Sequence, residues 1–384
     1  MPKVAIVGAG FAGLAAANRL IESGIRPIII EARQEPIATT TGGIADWWFN
    51  AIKMSYPDEV VAAKIRGVRL VSPDGNEAVV KSDKSVGAVL YPEAYLKYYI
   101  RKLKDEGAEF ITPGYFVQIR GRELTYIKSG IEKVMTGVDY LIAADGAMSS
   151  VRSSLGYPPP DFEDIHLGYE ETVDNVGGFS PDIVHIYIDS WIARKGYIWI
   201  FPDDPFGTRV RVGLGIPKSN GESPKDLYES RLLVKYPELK MEPYKCVGGH
   251  IPTAPLPETN VHGNVLFVGD AGRFCSPLHG GGIGFGAMSG VFAAEAVIAK
   301  NPSLYDIKWK QEIAPILKRH YMLKKMLYRW DDKAFNKAVD AVKTFEVKLE
   351  GLTNPNEVIM SFMKHLALTH PELIPQFLRI GFYA

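Results

Sequence analysis

Val4–Ala5–Ile6–Val7–Gly8–Ala9–Gly10–Phe11–Ala12–Gly13–Leu14 is the stretch from which the rest of the chain can be read. Val4 to Val7 form a short, uninterrupted apolar run of the kind that becomes a buried strand. Gly8, Gly10 and Gly13 follow at GxGxxG spacing, with Ala12 among them in the opening turn of a helix. The first glycine permits a tight turn, and the second lets the backbone approach a pyrophosphate. The third lets the helix pack on the strand with its N-terminal amides toward phosphate. The helical stretch runs through Leu14, Leu20 and Ile21 and stops at Gly24; Pro27–Ile28–Ile29–Ile30–Glu31 is a second strand. Strand, glycine turn, helix and strand open a doubly wound parallel sheet of the Rossmann type. Glu31 stands where a carboxylate accepts ribose hydroxyls, and Arg33 is placed for adenine or phosphate. Glycines serving only the sterics of a βα turn would leave that acid unexplained.

Two further motifs choose between dinucleotides. Ala143–Ala144–Asp145–Gly146–Ala147–Met148–Ser149–Ser150–Val151–Arg152 resembles the Asp-Gly motif of flavin-dependent hydroxylases and their relatives. Val268–Gly269–Asp270–Ala271 resembles the flavoprotein Gly-Asp motif, in which the acid binds the ribityl chain of FAD. Three motifs in this order make FAD the expected cofactor. The tract Pro277–Leu278–His279–Gly280–Gly281–Gly282–Ile283–Gly284 then opens a helix. Its glycines let amides approach a flavin pyrimidine edge, where the helix's positive end favours negative charge. Close helix packing alone would also use them.

The chain's 384 residues suit two interleaved domains and a helical tail. The expected FAD-binding domain comprises residues 1–63, 88–157 and 262–300, around a substrate domain at 64–87 and 158–261. Short β-rich runs such as Ile183–Ile188, Tyr197–Phe201 and Arg209–Ile216 make that second unit an antiparallel sheet. Residues 301–384 read as a helical C-terminal region. With 44 basic and 44 acidic residues the net charge is zero, and no field draws in nucleic acid. The two cysteines, Cys246 and Cys275, form no disulfide framework, and neither has metal-ligand spacing around it. The first apolar run is too short for a signal peptide, and Gly282–Ala299 reads as a packed internal helix, so a cytoplasmic protein is expected.

With these motifs in place the chain resembles the geranylgeranyl reductase family, FAD enzymes that saturate isoprenoid chains, including archaeal membrane-lipid precursors. Gly196–Tyr197–Ile198–Trp199–Ile200–Phe201–Pro202 matches that family's Tyr-x-Trp-x-Phe-Pro segment, and the Gly-Gly-Gly-Ile tract after Pro277 matches it too. The Gly-Gln-Gly typical of aromatic-ring hydroxylases is absent. The chain also departs from the family. Thr41–Gly42–Gly43–Ile44–Ala45 stands in place of a Cys-x-Gly-x-Gly loop that approaches flavin and substrate, Arg194 replaces a proline and Pro92 an arginine.

The resemblance implies hydride transfer from reduced FAD to an isolated C=C bond of a geranylgeranyl or other prenyl lipid, with a proton reaching the other carbon. An isolated alkene accepts hydride poorly, so alignment and protonation must supply most of the rate gain. Tyr197 and Trp199, two residues apart, share one face of a strand and are candidate walls of an apolar tunnel, as is the cluster Trp47–Trp48–Phe49; ordinary core packing is the competing reading. His279 is the candidate acid by position, or else a cap for the next helix. Gly42 and Gly43 are expected beside the cofactor. Lys318, Arg319, Lys324, Lys325 and Arg329 make Leu317–Trp330 a candidate for peripheral contact with anionic lipid, or a solvated face. No second GxGxxG unit exists for a nicotinamide, so a ferredoxin or a transient nicotinamide is the expected electron donor. A flavin monooxygenase and a flavin-quinone electron carrier are the alternative functions.

Overall fold

A computed structural model of the chain describes residues 1–52, 54–174, 176–346 and 355–373. The C-terminal positions 347–354 and 374–384, read above as part of the helical region, lie outside the described residues. Six strands form the first sheet, in the order Val261–His262, Val265–Phe267, Tyr140–Ala143, Val4–Val7, Ile28–Ile30, Glu109–Ile111. All pairings are parallel except the first, with Val4 opposite Tyr140 and Ala5 opposite Ile28.

The apolar runs of these strands are continuous because both faces are covered. Val4, Ile6, Ile29, Ile142 and Leu266 face a core shared with the helices Phe11–Glu22, Pro92–Asp105 and Ile283–Ile298. Ala5, Val7, Ile30, Leu141 and Ala143 face the opposite core, closed by a three-stranded antiparallel sheet through Ile119, Leu124 and Met135. Side chains such as Ile6 and Ile29 have no exposed surface, and each such burial contributes roughly 1.5–3 kcal/mol.

The second large sheet has seven strands: Pro243–Pro252, Ile165–Val173, Val210–Pro217, Tyr197–Pro202, Ile183–Tyr187, Gly67–Val71 and Glu77–Lys81. It is antiparallel apart from one pair, Ile183–Tyr187 with Gly67–Val71, which runs parallel. A long crossover from residue 71 to residue 183 makes that direction possible. One face packs Ile198, Ile200, Val212 and Leu214 against Tyr228 and Leu232. The other face carries Tyr197, Trp199 and Phe201 toward the nucleotide side. A small sheet of Gly43–Ala45, Gly87–Leu90 and Val61–Ile65 lies between the two, packing Val89 and Ile65 against Val184 and Phe201. Helices Ala314–Leu327, Asp332–Lys343 and Pro355–Thr369 share a further core around Leu323, Met326 and Leu366. Among the described residues no helix is long and apolar enough to cross a membrane.

Candidate active site

The glycine turn is built tightly. Gly8 holds a left-handed backbone, φ +101°, and a Cβ there would lie 2.3 Å from the carbonyl oxygen of Ala144. A Cβ on Gly13 would meet the Gly8 carbonyl at 2.1 Å, so strand, turn and helix close on one another only without side chains. The amides of Phe11, Ala12 and Gly13 have no acceptor among the described residues, as expected at a helix start awaiting an anion. Glu31 accepts the Ala9 N–H at 2.8 Å on Oε2 and the Arg33 N–H at 2.9 Å on Oε1. Those bonds aim the carboxylate at the turn and leave lone pairs for further donors. Arg33 itself is exposed, donating to the Ile37 carbonyl at 3.1 Å.

The other two motifs converge on the same helix. A Cβ on Gly269 (φ +57°) would lie 2.8 Å from Ala12 Cβ, and one on Gly282 would lie 3.2 Å from Asp270 Oδ1. Ala12, Gly269, Asp270 and Gly282 are therefore contiguous. The Asp270 carboxylate has no hydrogen-bond partner among the described residues, and burial pushes it up to about 6. An acid left without protein donors at this point fits a cofactor that brings hydroxyls. The Gly282 and Ile283 amides, opening the helix Ile283–Ile298, likewise have no acceptor among the described residues.

Asp145 is engaged differently. Its carboxylate accepts from Ser149 Oγ at 2.7 Å, Ser150 Oγ at 2.9 Å and the Val151 N–H at 3.0 Å. The side chain thus ties together the start of the helix Ser150–Ser154, while the backbone of Ala144–Asp145, leading to Gly146, backs onto Gly8.

A cavity of about 690 Å³ lies between the two large sheets, bounded by Gly43, Trp47, Trp48, Tyr197, Trp199 and the tract His279–Phe285. A neighbouring chamber of about 950 Å³, reaching Pro277, Leu278 and the C-terminal helices, shares Tyr197, Trp199, His279 and Gly280 with it. Tyr197 and Trp199 do share a face, their rings 5.8 Å apart, and they form part of the wall between the chambers. The indole lies flat on the neighbouring strand because Gly213 leaves room: a Cβ there would come within 2.5 Å of the ring. Tyr197 Oη donates to the His279 carbonyl at 2.6 Å, joining sheet and glycine tract.

The His279 ring is reachable from the cavity, yet protein surrounds it and desolvation lowers its pKa to about 4. Its Nδ1 accepts the Gly281 N–H at 3.2 Å, which leaves the ring proton on Nε2. The histidine therefore braces the turn before the helix and also faces the cavity. Cys275 is a buried thiol, raised well above its ordinary value by burial. Of the basic cluster, Lys318, Arg319, Lys325 and Arg329 are exposed, whereas Lys324 turns inward to Asp164 at 2.9 Å.

Three cavity features escaped the sequence reading. Glu170, 6% exposed, accepts from Trp199 Nε1 at 2.7 Å and Thr41 Oγ1 at 2.8 Å, both on Oε2. Beside it the buried Arg211 pairs with Asp203 and donates to the Thr41 carbonyl. His320 bonds Ser276 Oγ at 2.8 Å through Nδ1 and packs edge-on to His279; its buried Nε2 has no partner among the described residues. A carboxylate inside the strand Ile165–Val173 was the one readable signal, since charges seldom point into a core unpaired.

Residues 164–251 match the model of the geranylgeranyl reductase catalytic domain, and residues 1–46 match an FAD binding domain. A digeranylgeranylglycerophospholipid reductase of Methanothrix thermoacetophila is 28% identical over 95% of this chain and 99% of its own length. One from Methanococcus vannielii is 28% identical over 88% of this chain and 90% of its own. Among solved structures, a geranylgeranyl bacteriochlorophyll reductase-like protein from Thermoplasma acidophilum superposes with a TM-score of 0.87 at 24% identity, covering 98% of each chain, and speaks for the fold. With the FAD-binding match on the first βαβ unit and the catalytic-domain match on the sheet that carries Tyr197 and Trp199, this chain is similar to the geranylgeranyl reductases along nearly its whole length.

Proposed function

We propose that this chain reduces C=C bonds of geranylgeranyl or related prenyl-lipid chains. The observation carrying the reading is the cavity: an aromatic and aliphatic passage that runs past Tyr197 and Trp199 to the unpaired amides of the glycine tract. An apolar chain would be bound by such walls through burial and shape, with few polar anchors. Bound FAD, once reduced, supplies a hydride to the alkene.

The chain's own residues would do the rest. Glu31 would take ribose hydroxyls, Asp270 the ribityl hydroxyls, and the Phe11–Gly13 amides the pyrophosphate, with Arg33, Gly146 and Ala12 flanking them. The Gly282 and Ile283 amides would face the cofactor's anionic edge, with Pro277, Gly280 and Gly281 shaping the turn before them, and Gly42 and Gly43 would close over it without side chains. Trp47, Trp48, Tyr197 and Trp199 would exclude water and hold the chain in line. His279 would keep the glycine tract in shape and offer an Nε2 proton to the cavity. With no second dinucleotide unit in the chain, the electrons are assigned to a ferredoxin or a transiently bound nicotinamide.

The test is anaerobic incubation of the dithionite-reduced holoenzyme with geranylgeranyl lipids, followed by mass spectrometry. A gain of one H₂ per reacted bond is expected. A product formed only with O₂ and one oxygen heavier would reject the reductase in favour of a monooxygenase. Flavin reoxidised by quinone while every prenyl chain stays intact would point to an electron carrier.

A further inference from the structure

Saturating an isolated double bond needs a proton as well as a hydride, and few groups on the cavity wall can give one. The Tyr197 phenol already donates to the His279 carbonyl. The imidazoles of His279 and His320 are lowered by burial to about 4 and about 3, so both are neutral and poor acids near pH 7. The Thr41 hydroxyl donates to Glu170. Among the described lining residues Glu170 is the one carboxyl group, on a wall that is otherwise mostly aliphatic, aromatic, glycine and threonine.

Its geometry suits an acid. Trp199 and Thr41 both donate to Oε2, so Oε2 is the acceptor oxygen, and Oε1 has no partner among the described residues. A proton on Oε1 conflicts with no protein donor. Burial raises the carboxyl above its ordinary range, while Arg211 and the two hydrogen bonds pull it back and Asp203 pushes it up again. Arg211 and Asp203 are paired with each other, which weakens the field either exerts on Glu170. An acid tuned toward working pH is the efficient kind.

We propose that Glu170 is the proton donor of this cavity. Its Oε1–H gives the proton to one alkene carbon while the other receives the hydride that reduced FAD supplies. The π bond is replaced by two C–H bonds, the alkene gains two electrons from the flavin, and the Glu170 carboxylate is recharged from water. Held from Oε2 by two fixed donors, the group would need no rearrangement to act. This assignment rests on the reductase reading above.

Glu170→Gln keeps an oxygen for Trp199 and Thr41 but removes the acid. In single turnovers of prereduced holoenzyme with a geranylgeranyl lipid, saturation should fall by at least about a hundredfold. FAD content and the rate of flavin reoxidation by O₂ should match the wild type. The infrared spectrum of the wild-type protein should show a protonated-carboxyl C=O band that E170Q lacks, a readout independent of turnover. Thr41→Val removes one donor to the carboxylate and so raises its pKa. The alkaline limb of the rate profile should then move up by about half to one pH unit, which keeps a test available if E170Q does not fold. Wild type saturating the lipid with E170Q within threefold of it, or T41V leaving the limb in place, would overturn the assignment alone. Wild type that saturates no prenyl chain would remove the reductase reading, and this one with it.

Discussion

Asp270 is the residue on which acid should act most directly. In the apo-protein its carboxyl titrates near 6 because burial disfavours the charge and no protein donor offsets it. In the proposed role, cofactor hydroxyls would donate to the ionised form, so binding would lower this pKa and be strongest above it. FAD affinity should therefore hold from neutral pH upward and weaken below about 6, by up to about tenfold per pH unit; flavin-fluorescence titration of apo-protein measures it. Asp270→Ala and Glu31→Ala should each purify with depleted FAD, a charged hydrogen bond counting for about 1.5–3 kcal/mol. Full yellow occupancy in either would remove that residue from the cofactor site. The glycine turn and the placement of Glu31 beside it were legible because they are set by neighbours a few positions away and by a turn with one workable geometry. Glu170 was not, because its partners Trp199 and Thr41 lie 29 and 129 positions away in the chain. The sequence did not show that the Asp145 carboxylate would be taken up by Ser149, Ser150 and the Val151 amide close at hand.

At the scale of elements, the joint between the strand Tyr197–Pro202 and the glycine tract is the one to break. Tyr197→Phe deletes the bond to the His279 carbonyl and little volume. FAD content should be unchanged, and kcat/KM should fall by roughly tenfold, the worth of about one hydrogen bond; kinetics identical to wild type would take the phenol out of the site. The helix Ile283–Ile298 offers a steric counterpart. A Cβ on Gly284 would lie 2.2 Å from the Trp48 ring, a rigid neighbour that cannot swing a flexible end aside. Gly284→Ala should lower stability by about 1–3 kcal/mol in denaturant titrations and alter Trp48 fluorescence. The strands flanking the glycine turn were readable because burial on both faces leaves an unbroken apolar signature. The direction of Ile183–Tyr187 was not readable, since a strand's own residues do not say which remote edge it will meet.

Across the whole molecule, the exposed basic face of Ala314–Leu327 and its following turn is polar where it meets water. Its apolar side chains, Leu317, Leu323 and Met326, are buried in the protein. Any attraction to a membrane through Lys318, Arg319, Lys325 and Arg329 would be electrostatic without insertion. Flotation with anionic vesicles should be seen at low salt and lost by roughly 0.5 M, where charges are screened within a few ångströms. Retention at high salt would instead require an apolar anchor elsewhere.

Because the Tyr197 hydroxyl is fastened to the His279 carbonyl, the two chambers cannot widen independently of the glycine tract. A molecule spanning both would lean on the phenol, and the phenol on the turn before the helix Ile283–Ile298. Girth, and not only reach, would then be felt at the redox centre. A methyl-branched chain would press that hinge at intervals along its length, whereas a plain fatty acyl chain would offer it little to press on.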